Sequence, residues 1–211
     1  MMWGAGSAAT GVRGVVLAGG QNRRLGGSPK ALLLFGGRPL IQHIVERVET
    51  VLPGCLVVTN TPDLYAFLGR PLIPDVYPGG GSLGGLYSGL RAAGTAAALC
   101  VGCDMPFLSP ALIRYLAEQH QEADVVVPEA GGDLQTLHAV YGWGCLPAME
   151  RRLQEGPLRI TGFFPDVRVR RVPAEAVAQL ADPARAFFNV NTPDDLARAR
   201  VAWGDEPGSA G

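Results

Sequence analysis

The chain has 211 residues, 47% of them apolar and 18% charged, which suits one α/β domain with a well-buried core. Its formal net charge of −1 supplies no global field for nucleic acid, so an anion site must be built locally from a few residues. Four cysteines (Cys55, Cys100, Cys103 and Cys145) are too few, and too apolar in context, for a secreted disulfide framework; they suit a reduced, cytoplasmic setting, and no run approaches the roughly 20 apolar residues of a membrane span.

Residues 1–11 lack a basic segment followed by a long apolar run and are expected to be a flexible lead-in rather than a signal peptide. A first apolar strand is predicted at 14–18, then a glycine-rich loop ending at Lys30. Helical spacing follows at 39–52, a strand at 55–59, a helix at 62–68 and a short strand at 72–73. The glycine-rich turn 79–85 leads into a helix over 83–93, which precedes an apolar strand at 97–102 and the loop Cys103-Asp104-Met105-Pro106. Ser109-Pro110 opens a helix over 109–121, placing a capping hydroxyl before a first-turn proline. Strand-like runs at 124–127 and 137–141 flank Glu129-Ala130-Gly131-Gly132-Asp133, which predicts a hairpin. A helix at 146–155, a strand at 167–172 and a helix opened by Thr192-Pro193 over 193–203 complete the order. Residues 205–211 have nothing to bury and are expected to fray. Alternating strands and helices predict a mainly parallel sheet covered on both faces, made mixed by the hairpin. In such sheets ligands collect at the carboxyl ends of the strands.

Two loops at those ends carry the chemistry. In the first, Gly19, Gly20, Gly26 and Gly27 let backbone N–H groups close around phosphate oxygens, while Arg23, Arg24 and Lys30 neutralise them. Lys30 is the only lysine, every other one of the 18 basic side chains being arginine. Its compact ammonium follows a phosphate oxygen whose charge changes, which the flat guanidinium does less well. The loop has neither the Gly-Lys-Ser/Thr ending of a Walker A loop nor dinucleotide-fingerprint spacing. In the second loop Asp104, just past a buried strand and steadied by Pro106, is a candidate ligand for a hard divalent ion; the alternative is an Asx-type cap on loop N–H groups. Cys100 and Cys103 form a Cys-x-x-Cys pair, but residues three apart on a strand point to opposite faces and no histidine cluster completes a metal site. His43, His120 and His138 are scattered, which favours ordinary surface or core roles.

Leu17-Ala18-Gly19-Gly20, then Arg24-Leu25-Gly26, Lys30, Gly37-Arg38-Pro39-Leu40, Cys103-Asp104-Met105-Pro106 and Asn189-Val190-Asn191-Thr192-Pro193 resemble, in order and spacing, the molybdenum cofactor guanylyltransferase family of nucleotidyltransferases. The match runs from about Gly14 to about Ala199. It implies a three-layer, Rossmann-like α/β fold in a single domain. It also implies that Leu17, Ala18, Gly19 and Gly20 bind the nucleotide through backbone and that Lys30 contacts its phosphates. Asp75 joins the nucleotide site by the same resemblance, and Asp104 binds Mg2+ and the GTP phosphates. A family asparagine at the end of the second strand falls on Thr59 or Asn60, the register leaving both open. Leu25 and Pro29 depart from the common family residues without removing a phosphate donor. Asn189 and Asn191, alternating onto one side of an extended segment, fall on the pterin side by resemblance; the equal alternative is that Asn191 and Thr192 cap the last helix. Arg24 serves either substrate, and the 79–85 turn either admits a base or pterin or is a mobile loop.

The implied reaction joins molybdopterin, or its metal-loaded form, to GMP from GTP by in-line attack on the α-phosphorus, releasing pyrophosphate. Lys30, Arg24 and Asp104 are the catalytic candidates, Mg2+ is the cofactor, and a cytoplasmic monomer is expected, with other molybdenum cofactor biosynthesis or acceptor proteins as its candidate protein partners and no nucleic-acid or membrane partner. Cytidylyl transfer to the same pterin, nucleotidyl transfer to a sugar phosphate, and a non-catalytic nucleotide-binding module are the alternatives.

Overall fold

Side-chain alternation sets the layers. In the first strand, β1 (Val12–Leu17), Val12 and Val16 enter one apolar cluster while Val15 and Leu17 enter another, the period-two pattern of a strand buried on both faces. The structure, a computed structural model, describes residues 11–19, 29–156 and 158–204. The expectations for 1–10 and 205–211 lie outside those residues.

After Lys30 the chain makes a two-strand ribbon, β2 (Leu34–Phe35) and β3 (Arg38–Pro39), and enters α1 (Leu40–Glu49). Next come β4 (Cys55–Val58), two short 3-10 turns, β5 (Leu72–Ile73), α2 (Gly81–Ala93) and β6 (Ala97–Gly102). The later half runs α3 (Pro110–Glu118), β7 (Val125–Ala130), β8 (Asp133–Leu134), β9 (His138–Gly142), α4 (Leu146–Glu155) and β10 (Val169–Val172). It closes with α5 (Ala174–Ala178), α6 (Pro183–Ala186) and α7 (Pro193–Gly204).

The sheet order is β10-β7-β9-β6-β1-β4-β5, with β8 paired to β7. The β1, β4, β5 and β6 pairings are parallel, while β9 runs antiparallel between β6 and β7, so the sheet is mixed as expected. Gly131 and Gly132, at φ +61° and +86°, turn the predicted hairpin, but its return strand is the short β8. Buried residues of α1, α3 and α7 share a cluster with Val12 and Val16 on one face; α2 and α4 pack with Val15 and Leu17 on the other. Cys100 and Cys103 fall in opposite clusters, as strand geometry requires. The α2 helix lies unusually close to the sheet, since a Cβ at Gly89 would stand 2.4 Å from Val15 Cγ1 and 3.0 Å from Val58 Cγ2.

The predicted helix over 62–68 resolves into two 3-10 turns, Pro62–Leu64 and Ala66–Leu68, separated at Tyr65 (φ −119°) and ended by Gly69 at φ +59°. Among the described residues no helix is long and apolar enough to cross a membrane.

Candidate functional site at the carboxyl ends of the parallel strands

From β1 the chain moves outward through β4 and β5, then returns to place β6 on the other side of β1. This reversal opens a crevice beyond the carboxyl ends, where open α/β sheets bind ligands. The segment after β1 is tied to both neighbours: the Ala18 N–H donates to Val58 O at 2.9 Å, and the Cys103 N–H donates to Leu17 O at 3.3 Å. The Gly19 N–H has no partner among the described residues, and a Cβ there would meet nothing within 4 Å. Leu17 and Ala18 thus fix the rim, and Gly19 presents a donor unpaired among the described residues. Gly20, Arg23 and Arg24 lie outside the described residues.

Lys30 is 6% exposed and begins a 3-10 turn, Lys30–Leu32, that sets its ammonium against the last part of the chain. Its Nζ donates to Asn191 Oδ1 at 2.8 Å. The capping alternative for this segment is settled by a reciprocal pair. The Asp195 N–H donates to Thr192 Oγ1 at 3.1 Å, while the Asn191 and Thr192 N–H groups donate to Asp195 Oδ2 at 3.1 and 2.9 Å. Thr192 and Asp195 form the capping box, which leaves the Asn191 carboxamide for Lys30. Asn189 does not join this contact, its Nδ2 donating to Phe187 O at 3.1 Å. Between the two asparagines, the Val190 N–H donates to Asp104 O at 2.9 Å, so the α7 lead-in and the β6 loop are held together.

The Asp104 carboxylate lies over Gly102, where a Cβ would stand 2.7 Å from Oδ1. Burial raises its pKa above the ordinary carboxylate value, opposed by its own backbone N–H and by the positive charge of Lys30. Lys30, Asn191 and Asp104 therefore form one polar cluster. Among the described residues no group of three or more His, Cys, Asp or Glu side chains converges on a metal position. A lone carboxylate suits Mg2+, which keeps several waters and takes its remaining oxygens from substrate phosphates.

Thr59 and Asn60 separate by environment. Thr59 is buried, with its Oγ1 accepting the Thr61 N–H at 3.2 Å, whereas Asn60 is exposed at the crevice and its Oδ1 accepts the Asp75 N–H at 2.9 Å. The Asp75 Oδ1 accepts the Tyr77 N–H and the Ser88 hydroxyl, both at 3.0 Å, so that carboxylate organises the turn into α2.

A cleft of about 650 Å³ adjoins the cluster, with Ser82, Thr136, Leu137, Arg159 and Thr161 among its walls. Leu137 lines that cleft, and its Cβ is 3.9 Å from the Cβ position of Gly102, the same position that lies 2.7 Å from Asp104 Oδ1. Ser82 belongs to the 79–85 turn singled out from the sequence; sequence reasoning gave Thr136, Leu137, Arg159 and Thr161 no role at the site. Arg159 stands in an aperiodic connection before the 3-10 segment Ile160–Asp166, and one arginine among seventeen carries no compositional signal. All four cysteines are free and buried. His43 bonds locally through Nε2 to Phe35 O at 2.6 Å, and His120 through Nδ1 to Ala117 O at 2.7 Å.

The model of the MobA-like NTP transferase domain family matches residues 14–164. The chain is 43% identical over 188 residues to a protein of Pelotomaculum thermopropionicum named probable molybdenum cofactor guanylyltransferase, covering 89% of this chain and 91% of the relative. It is 36% identical over 194 residues to the molybdenum cofactor guanylyltransferase of Desulfosudis oleivorans, covering 90% and 95%. Among solved structures, molybdopterin-guanine dinucleotide biosynthesis protein A of Archaeoglobus fulgidus superposes with a TM-score of 0.81 at 26% identity, over 92% of this chain and all of that one.

Proposed function

Since the chain belongs to the MobA-like NTP transferase family, we propose that it transfers GMP from GTP to the terminal phosphate of molybdopterin or molybdenum cofactor, forming the guanine dinucleotide and releasing pyrophosphate. The observation that carries this reading is the grouping of Lys30 and Asn191 with Asp104, whose loop is tied to the end of β1, a cationic and hydrogen-bonding cluster of the kind that suits nucleotide phosphates.

The Gly19 N–H and the Lys30 ammonium hold the triphosphate, and Asn60, rather than the buried Thr59, faces the nucleotide from β4. Asn191 steers the Lys30 amine, and Asn189 lies one pleat away on the same segment. The cleft bordered by Arg159 and Thr161 receives the acceptor, which brings its phosphate towards Asp104. An acceptor oxygen forms a bond to the α-phosphorus while the bond to the β-phosphate bridging oxygen breaks, and pyrophosphate leaves with that electron pair. The attacking phosphate is already ionised at neutral pH, so no general base is needed. Lys30 stabilises the charge that accumulates on the leaving group, a preorganised contribution made inside a partly dry site. Arg24 adds a second cation on the same loop. Nucleotidyltransferases generally use a divalent metal, and Mg2+ held by Asp104 and the phosphates would supply charge neutralisation and alignment.

We infer further that the chain acts as one domain, as a monomer, in the cytoplasm. Isothermal titration of GTP and CTP, each with and without Mg2+, tests nucleotide choice. Preferential GTP binding that weakens in Lys30→Ala supports guanylyl transfer; CTP preference moves the chain to cytidylyl transfer, and binding of neither removes the proposed site.

A further inference from the structure

The turn between β5 and α2 is held from three directions by one residue. The Tyr77 N–H donates to Asp75 Oδ1 at 3.0 Å, and its carbonyl accepts the Gly80 N–H at 2.8 Å. Its phenol donates to Glu150 Oε1 on α4 at 2.9 Å. The same oxygen accepts the Tyr87 hydroxyl from α2 at 3.2 Å, and the two phenol rings meet edge to face at 5.2 Å. The Glu150 bonds favour the protonated phenols, raising both tyrosine pKa values; for Tyr87 burial is the larger cause.

The turn has little room to shift. A Cβ at Gly80 would stand 2.9 Å from Tyr77 O and 3.0 Å from Leu153 Cδ2, and one at Gly84 would stand 3.0 Å from Tyr77 O and 3.2 Å from Asp75 Oδ1. Thus α4, the turn and the first turn of α2 are in direct contact around Tyr77. The α2 helix also touches the strand that leads into the crevice, the Gly85 Cβ position being 3.7 Å from Leu17 Cδ2. A displacement at Tyr77 therefore moves both Asp75 and the amino end of α2 relative to Gly19.

We propose that Tyr77 and Glu150 are positioning residues for nucleotide binding: Glu150, from a helix on the outer layer, fixes through Tyr77 the placement of Asp75 and the glycine turn at the crevice. Neither belongs to the Lys30–Asn191–Asp104 cluster, so they act on how GTP is held rather than on phosphoryl transfer. This rests on the guanylyl-transfer reading above.

The test uses the full chain with Tyr77→Phe, Glu150→Ala and Glu150→Gln, measuring thermal midpoint, Kd for GTP, and KM and kcat separately. Loss of the phenol or of the carboxylate is expected to raise Kd and KM for GTP about tenfold, the size of one charge-assisted hydrogen bond, with kcat nearly constant. Glu150→Gln should restore most of the affinity, because its amide oxygen accepts from both phenols. Unchanged GTP affinity in folded Tyr77→Phe, which removes a single oxygen, overturns the proposal, as does Glu150→Gln behaving like Glu150→Ala. Wild-type protein that binds GTP while the variants do not differ from it overturns this inference alone. Wild-type protein that binds no GTP overturns the underlying reading and this one with it.

Discussion

Lys30 and Asn191 are separated by 161 positions in the chain and meet at 2.8 Å. Replacing Lys30 with alanine removes a donor aimed at the phosphates and takes from the exposed Asn191 amide its lysine partner. A fall in kcat/KM for GTP of about 10²- to 10³-fold is expected from steady-state kinetics, the usual cost of one preorganised donor, with the thermal midpoint reported alongside. Lys30 and Asp104 were legible in the sequence because each is a charge on a loop leaving an apolar run. Asn191 was ambiguous because an asparagine beside a helix start serves equally as cap or ligand; only the Thr192–Asp195 pairing separates the two. A different residue governs acid stability. His138 is fully buried, neither ring nitrogen has a hydrogen-bond partner among the described residues, and desolvation lowers its pKa from 6.5 to about 4. The unfolded chain takes up the proton first on acidification, so stability falls from about pH 6.5 downward, by about 3 kcal/mol once the pH is below 4. Denaturant unfolding at pH 7 and pH 4 should show that loss in the wild type and a smaller one in His138→Leu.

Among the elements, α2 depends most on a small side chain. Gly89→Val would drive its side chain into Val15 and Val58, and a loss of about 1–3 kcal/mol is expected from overpacking, read as a lower urea midpoint. At α7, Thr192→Ala should cost about 1 kcal/mol as a lost N-cap and also weaken GTP binding, because the capping box positions Asn191. The apolar strands and longer amphipathic helices were legible because burial on two faces or one stripe leaves a periodic trace. The two-residue strands β2 and β3 are shorter than any period, and the 62–68 run is compatible with either helix type until Gly69 ends it. Arg159 was not legible because its position depends on how the start of α2, the β8 hairpin and residues 158–161 enclose the cleft, a tertiary fact with no local pattern.

At the scale of the molecule, one sheet separates two apolar clusters and brings loops from distant parts of the sequence to a common edge. The reversal of strand order around β1 accounts for a crevice there, and Thr136 and Leu137, just before β9, line the Arg159 cleft. Chelation of divalent ions should abolish turnover and restored Mg2+ recover it, because the protein supplies one carboxylate where a triphosphate and a phosphate monoester must meet. The most direct measurement is pyrophosphate release together with chromatography of the pterin product, using molybdopterin, Mg2+ and either GTP or CTP, with wild type and Asp104→Ala. The predicted result is pyrophosphate and the guanine dinucleotide from GTP with wild type, little from CTP, and neither product with Asp104→Ala. Faster release with CTP, or undiminished release by Asp104→Ala, would contradict guanylyl transfer at this site.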